Sequence, residues 1–325
     1  MQTGLRGRNF ISTQDWSLEE LETALALADR LKIESALDVE MSYLRNKVLA
    51  MIFFDNSTRT RVSFEAGMTH LGGHAIFLAP DKMQIAHGEE AKDTGTIIGR
   101  YTDGIAIRHC AYGIGNDYLN KVAAVSRSPV INMQCDKFHP CQIMADYMTI
   151  REKFGRDTRG LKIGVAWTSA PNYVRPMSVP QSLILLMPRF GLDVTLAHPP
   201  EFNLMPEIME QARANASAAG VSFTVSESFD DAFQDADIVI PKSWGPLSHT
   251  QDEQEGLRLI GKYPDWVCNE EKMALTGNNS IYMHPLPADR GREVTDSVID
   301  GPHSVVYDEA ENRQHIQNAI LALTL

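Results

Sequence analysis

Residues 53–65 read FFDNSTRTRVSFE. An apolar run closes on two aromatics, and Ser57, Thr58, Arg59 and Thr60 follow at what reads as a helix start. The first turn of a helix has unpaired N–H groups and the positive end of the macrodipole. Hydroxyls from Ser57, Thr58 and Thr60 add donors there, and Arg59 adds a planar charged fork suited to phosphate oxygens. A plain N-cap with surface arginines needs only one Ser and one Arg, so capping leaves most of the run unexplained. A phosphate site explains all of it. Neither the G-x-x-x-x-G-K-[ST] of a Walker loop nor the G-x-G-x-x-G of a dinucleotide fold stands here, which counts against a nucleotide-linked oxidoreductase. Arg108 closes another apolar run, GIAIRH, where a charge faces the place that ligands occupy in parallel sheets. Arg61 and Glu65, four apart on one helix, read as a supporting ion pair.

The elements that position these residues are legible as alternation. KVLAMIFF, HAIFL, GIAIRH and PVINM read as strands in the first half, and KIGVAWT, DVTLAH, SFTVS, DIVIP and SIYMH in the second. The runs are near-continuously apolar, as strands covered on both faces by helices are. Amphipathic stretches such as EEAKDTGTIIGRY and PEIMEQARANASAAG lie between them, and Ser17 with Glu20 forms a capping box before the first helix. The expected class is α/β, with two domains, each a parallel sheet flanked by helices. The charged stretch REKFGRDTRGL at 151–161 suggests the boundary, giving domains 1–150 and 151–309, with a C-terminal helix 310–325 packing back on the first. HTQDEQEGLRLIGKYPDW reads as a mobile surface loop.

The chain has 325 residues, 43% of them hydrophobic, and a formal net charge of -12. That charge argues against nucleic-acid binding. No segment approaches a membrane span, and the four cysteines form no C-x-x-C pair, so a cytoplasmic protein with reduced thiols, no metal and no membrane is expected.

STRTR followed by SFE resembles the carbamoyl phosphate signature of the aspartate and ornithine carbamoyltransferases. MQIAHGEEAKDT resembles the loop that reaches a neighbouring subunit's site in ornithine enzymes. HPCQIMADYMTI is similar to the H-P-x-Q motif, and MHPLPADRGREVTDSVIDGPHSVVYDEAENR to the C-terminal H-x-L-P block. The resemblance implies the carbamoyltransferase fold and a cofactor-free enzyme that moves a carbamoyl group from carbamoyl phosphate to an amine. It implies that Ser57, Thr58, Arg59 and Thr60 hold phosphate. Arg108 reaches the phosphate and carbonyl oxygens, His139 donates to the carbonyl oxygen, and Gln142 holds the carbamoyl amide. Pro285 and Leu286 offer backbone carbonyls, and Arg290 lies where relatives use an arginine against substrate. Gln84 implies a homotrimer with shared sites.

The acceptor side departs from the ornithine pattern. In place of D-x-x-x-S-M-G the chain has PKSWGPL, with Lys242 near the position of the Asp that pairs with ornithine's α-amino group. KSWG and WTSAPNYVRPMSVPQS resemble the knotted carbamoyltransferases, including those acting on N-acetyl- or N-succinylornithine, and imply a knotted loop at 169–180. Glu293 and Pro285 differ from the acetylornithine branch. Asn172, Tyr173, Arg175, Lys242, Ser243 and Trp244 are the candidate acceptor pocket. The expected acceptor is a small amino acid, a diamino acid or its N-acylated form. An ordinary ornithine carbamoyltransferase, or a non-catalytic carbamoyl phosphate-binding relative, are the alternatives.

Overall fold

The computed structural model describes residues 3–325. The chain divides into two units, one of residues up to 145 together with 311–325, the other of residues 146–310. The divisions fall inside two helices, not in linkers.

In the first unit, α1 (Leu18–Ala36) starts at Ser17, whose hydroxyl accepts from Glu20 N while the Glu20 carboxylate accepts from Ser17 N. It is followed by β1 (Val48–Phe53), α2 (Thr58–His70), β2 (His74–Leu78), α3 (Ala91–Tyr101), β3 (Gly104–His109), α4 (Gly115–Ala123), β4 (Val130–Cys135) and α5 (Pro140–Phe154). The strands form a parallel sheet in the order β2-β1-β3-β4. The chain leaves β1 to one side for β2 and crosses to the other for β3, so a crevice opens at the carboxyl ends of β1 and β3. Those ends carry Ser57–Thr60 and Arg108. β1, β3 and β4 are nearly all buried. β2 is different: Ile76 and Phe77 are 39% and 36% exposed, so this apolar run is not covered on both faces.

The second unit holds β5 (Lys162–Trp167), α6 (Ser178–Leu186), β6 (Asp193–Ala197), α7 (Pro206–Ala219), β7 (Phe223–Ser226), β8 (Ile238–Lys242), α8 (Glu253–Ile260), α9 (Glu270–Met273), β9 (Ile281–Tyr282) and α10 (Asp296–Ile299). Its parallel sheet runs β7-β6-β5-β8-β9, and the same reversal puts a crevice at the carboxyl ends of β5 and β8. There the chain continues into 168–177 and 243–252. The last helix, α11 (Val306–Thr324), carries residues 311–324 into the first unit.

The nine apolar runs read as strands all appear as strands. The polar stretch after residue 248 does not stay a loop: α8 occupies 253–260, capped by Asp252, whose Oδ1 accepts from Glu255 N at 2.8 Å. The chain is fastened by Tyr173, whose hydroxyl donates to Thr250 O at 2.7 Å. Its ring lies so close to Gly256 that a Cβ there would meet it at 2.0 Å.

β5 tolerates no side chain at Gly164, where a Cβ would lie 1.7 Å from Ala232 O. Gly164→Ala is therefore expected to destabilise the second unit by about 1–3 kcal/mol through overpacking. Urea unfolding followed by fluorescence checks this, and an unchanged midpoint would show that the Asp230–Ala232 turn gives way freely.

Candidate active site

Ser57 caps α2 from extended backbone, and its Oγ accepts from Thr60 N at 3.3 Å. This leaves the first-turn N–H groups at the mouth of the β1–β3 crevice. Thr60 is buried, and its hydroxyl accepts from Arg313 Nη2 at 2.7 Å. With that lone pair occupied, the hydroxyl proton is available to an outside acceptor.

Phe53 pairs with Arg108 across β1 and β3, and the β3–β4 register shifts between Ile107 and Arg108. The extra residue, Met133, stands on β4 and brings Gln134 opposite Arg108. Here Arg108 Nη1 donates to Gln134 Oε1. Neither Arg59 nor Arg108 forms an ion pair with a carboxylate among the described residues, and the Nε of each is buried without a partner. Burial, and then Arg108, push the Arg59 guanidinium below its usual range, although an arginine remains charged at neutral pH. Two half-buried like charges therefore share one crevice beside a positive helix end. That arrangement is the electrostatic inverse of an anion.

His139 and Gln142 open α5 and are buried. Burial, then Arg313 and Arg108, hold the His139 imidazole well below its ordinary 6.5, so it is a neutral N–H donor. Burial likewise pushes the Cys141 thiol up to about 12, which leaves it inert. Gln84 lies exposed in a short 3-10 segment, Gln84–His87.

In the second unit, Pro285 and Leu286 follow β9. Leu286 takes φ 51, a left-handed conformation for a branched residue, and the Leu286–Pro287 bond is cis. His284 N donates to Glu309 Oε2 at 2.7 Å, and His284 Nδ1 accepts from Leu286 N at 2.9 Å. The accepted bond fixes the proton on Nε2, 3.3 Å from Glu293 Oε2.

The acceptor candidates do not share one environment. Trp244 is fully buried and its indole donates to Phe202 O at 2.8 Å, so it packs the sheet edge instead of lining a pocket. Tyr173 is turned inward onto Gly256 and Thr250. Ser243 is buried against Glu293. Lys242 is not open to a substrate charge as the sequence suggests: Glu293 Oε1 accepts from its Nζ at 2.7 Å. Burial alone would raise the Glu293 carboxyl, but Lys242 holds it well below the carboxylate range. Arg175 pairs with Asp289, and its Nε donates to Asn172 Oδ1 at 2.8 Å. Arg290 is exposed and ion-paired with Asp296 and Asp300, so those carboxylates take the charge that the sequence reading gives to a substrate.

Arg313 is the residue that sequence reasoning missed. It sits in the quoted DEAENR stretch, inside a helix whose buried residues include Glu309, Asn312, His315, Gln317 and Asn318 as well as apolar ones. Among the described residues no group of three His, Cys, Asp or Glu side chains is placed to hold a metal.

The comparisons with known proteins agree on one family. Residues 8–152 match the aspartate/ornithine carbamoyltransferase carbamoyl-P binding domain, and residues 174–324 the Asp/Orn binding domain. The chain belongs to the aspartate/ornithine carbamoyltransferase family. It is a carbamoyltransferase, and thus an enzyme. It is 40% identical to the ornithine carbamoyltransferase of Methanoculleus marisnigri, covering 97% of this chain and 96% of the relative. It is 37% identical to the putative carbamoyltransferase YgeW of Escherichia coli strain K12, covering 98% of this chain and 89% of the relative. A solved N-acetyl-L-ornithine transcarbamylase variant, complexed with carbamyl phosphate and N-succinyl-L-norvaline, superposes with TM-score 0.91 at 36% identity, covering 98% of this chain and 100% of that one. No helix is long and apolar enough to cross a membrane.

The burial of His139 yields a sign. A folded-state value below 6.5 means that protonation favours the unfolded chain, so stability present above about pH 6.5 is lost as the pH falls below it. Imidazole NMR shifts of His139 are expected to stay those of the neutral form as the pH is lowered through 6.5, and Arg313→Met to raise the midpoint. A wild-type midpoint at 6.5 or above would contradict the assigned environment.

Proposed function

We propose that this carbamoyltransferase moves the carbamoyl group of carbamoyl phosphate onto the amine of a small diamino acid, or of an N-acylated one, and releases phosphate. The observation that carries the phosphate half is the pair of half-buried guanidiniums without carboxylate partners, Arg59 at the start of α2 and Arg108 near the end of β3, each with a buried Nε that has no partner. In this reading residues 1–150 bind carbamoyl phosphate and 151–309 the acceptor. Ser57, Thr58, Arg59 and Thr60 take the phosphate oxygens, with Arg108 and Arg313 beside them. The amine lone pair attacks the carbonyl carbon and a tetrahedral centre forms. The C–O bond to phosphate then breaks, and the amine proton leaves. Charge grows on the carbonyl oxygen and on the departing phosphate. Arg108 and neutral His139 stabilise the first, and the α2 start with Arg59 the second. Gln142 and the carbonyls of Pro285 and Leu286 orient the carbamoyl nitrogen and the amine.

Two observations support an acceptor other than free ornithine. Asp289 is paired with Arg175, and Glu293 with Lys242, so neither carboxylate stands open to an α-ammonium. An α-ammonium would therefore find no open carboxylate to pair with there. The named ornithine relatives favour the alternative, and the acceptor panel below separates the two.

The same reading includes a homotrimer in which Gln84 completes a neighbour's site. Support comes from an apolar edge on α2 and β2, where Val62 is 57%, Ile76 39% and Phe77 36% exposed. Threading of the 243–260 segment through the 169–180 loop is also part of it, supported by the Tyr173 contacts with Thr250 and Gly256.

Arg59→Ala is expected to raise the KM for carbamoyl phosphate by about 10- to 100-fold or more, the size of a charge-assisted bidentate contact. A near-normal KM would sink the phosphate assignment. Mixing Arg59→Ala and Gln84→Ala chains, each impaired at subsaturating carbamoyl phosphate, is expected to give more activity than the sum of the two alone, and no gain after confirmed exchange would remove the shared site. In a panel of diaminopropionate, ornithine and N-acetylornithine, free ornithine is expected to have a lower kcat/KM than the best other acceptor. Equal or better use of ornithine would return the alternative.

A further inference from the structure

Two cations stand at the carboxyl edge of the second sheet, and the fold treats them differently. Lys242 ends β8. Its ammonium has three protons, and it meets Glu293 Oε1 at 2.7 Å, Ser243 Oγ at 3.1 Å and Ser243 O at 3.2 Å. Every proton is spent inside the protein. Glu293 is fully buried, and its Oε1 also accepts from Ser243 N and Ser243 Oγ, each at 2.7 Å. A substrate carboxylate could take Lys242 only by stripping a proton donor from a buried anion, which is unfavourable.

Arg175 is held but not spent. A guanidinium has five N–H protons in a fixed fork. Its Nε donates to Asn172 Oδ1 at 2.8 Å, and one Nη2 proton goes to Asp289. The remaining protons, both of Nη1 included, have no partner among the described residues. Asp289 is itself fixed, because its N donates to Glu293 Oε2 at 2.8 Å. One buried carboxylate thus anchors three stretches, the end of β8, the turn after β9, and through Asp289 the loop after β5. Asn172 and Asp289 immobilise the guanidinium on one side and leave the other edge able to take a second carboxylate in the bidentate manner.

We infer that Arg175 binds the carboxylate of the acceptor, with Asp289 and Asn172 aiming it, and that Lys242 and Glu293 are a closed pair that positions the pocket without touching the substrate. The inference rests on the acceptor reading above and sharpens it to a recognised group.

The test compares each amine with its decarboxylated partner in phosphate release from carbamoyl phosphate: diaminopropionate against ethylenediamine, ornithine against putrescine, and N-acetylornithine against N-acetylputrescine. Turnover of the carboxylate-bearing member by the wild type tests the proposed reaction by itself, and the ratio within a pair tests Arg175. The wild type is expected to prefer the carboxylate by about 10- to 100-fold in kcat/KM, matching one charge-assisted contact. Arg175→Gln is expected to reduce the preference below about 3-fold, and Arg175→Lys to restore part of it. Lys242→Met is expected to lower the melting temperature and keep the preference. Each ratio is taken within one variant, so a partly misfolded fraction cancels. A preference that survives Arg175→Gln, or one lost in Lys242→Met, overturns the inference.

Discussion

The first unit is organised around a repulsion. Arg59 and Arg108 are partly desolvated and near enough for Arg108 to depress Arg59, and no described carboxylate offsets either. Buried charges are normally paired, and an unpaired one destabilises the fold that holds it. The sheet order makes the arrangement possible, since β1 and β3 are neighbours and their carboxyl ends deliver α2 and Arg108 to one crevice. The last helix adds Arg313, fastened to Thr60. Burial, with the fields of Arg313 and Arg108 added, keeps His139 neutral. A dianionic ligand relieves all of these costs together, so binding restores stability to the unit.

The second unit resolves the same problem in the opposite way. Glu293 collects donors from Lys242, Ser243 and Asp289, and a buried carboxylate so well supplied is tolerable where a bare one is not. The hydrogen bonds also fix backbone. They hold the end of β8 and the turn after β9 together, and Glu309 ties down the start of that turn through His284 N. Leu286 can then be kept in a left-handed conformation that an unrestrained chain would leave.

What the sequence disclosed follows from which forces are local. All nine strands were legible because an apolar run of strand length is a local pattern, and Ser17–Glu20 because a capping box spans four residues. The helix start at Ser57–Thr60 was legible because capping is local. Arg313 was not, because it meets Thr60 across 253 positions of chain. The α8 helix was lost among polar residues whose single apolar stripe is short, although Asp252 gives it a cap. Lys242 was located, but its charge was misjudged. The residue that neutralises it, Glu293, lies 51 positions away, and charge number in a sequence does not reveal pairing. Trp244 entered the candidate pocket through the resemblance of KSWG to the knotted carbamoyltransferases. The carbonyl of Phe202, which takes its N–H into the interior, is brought near only by the sheet.

The contrast between the units assigns them different kinds of selectivity. A crevice with uncompensated positive charge selects for negative charge first, and its discrimination among anions comes from the fixed directions of N–H and O–H donors. A crevice whose charges are already paired has little net field to offer. It selects by which hydrogen-bonding positions remain open and by what fits between them. The residues of the first crevice stand on strand ends and helix starts that the core holds rigid. Those of the second stand on three connecting stretches joined by one carboxylate. A change in the length or sequence of those stretches would alter the second crevice while the first keeps its geometry. Glu293 limits that freedom, because any substitution that frees it leaves a charge in the interior with nothing to pair against.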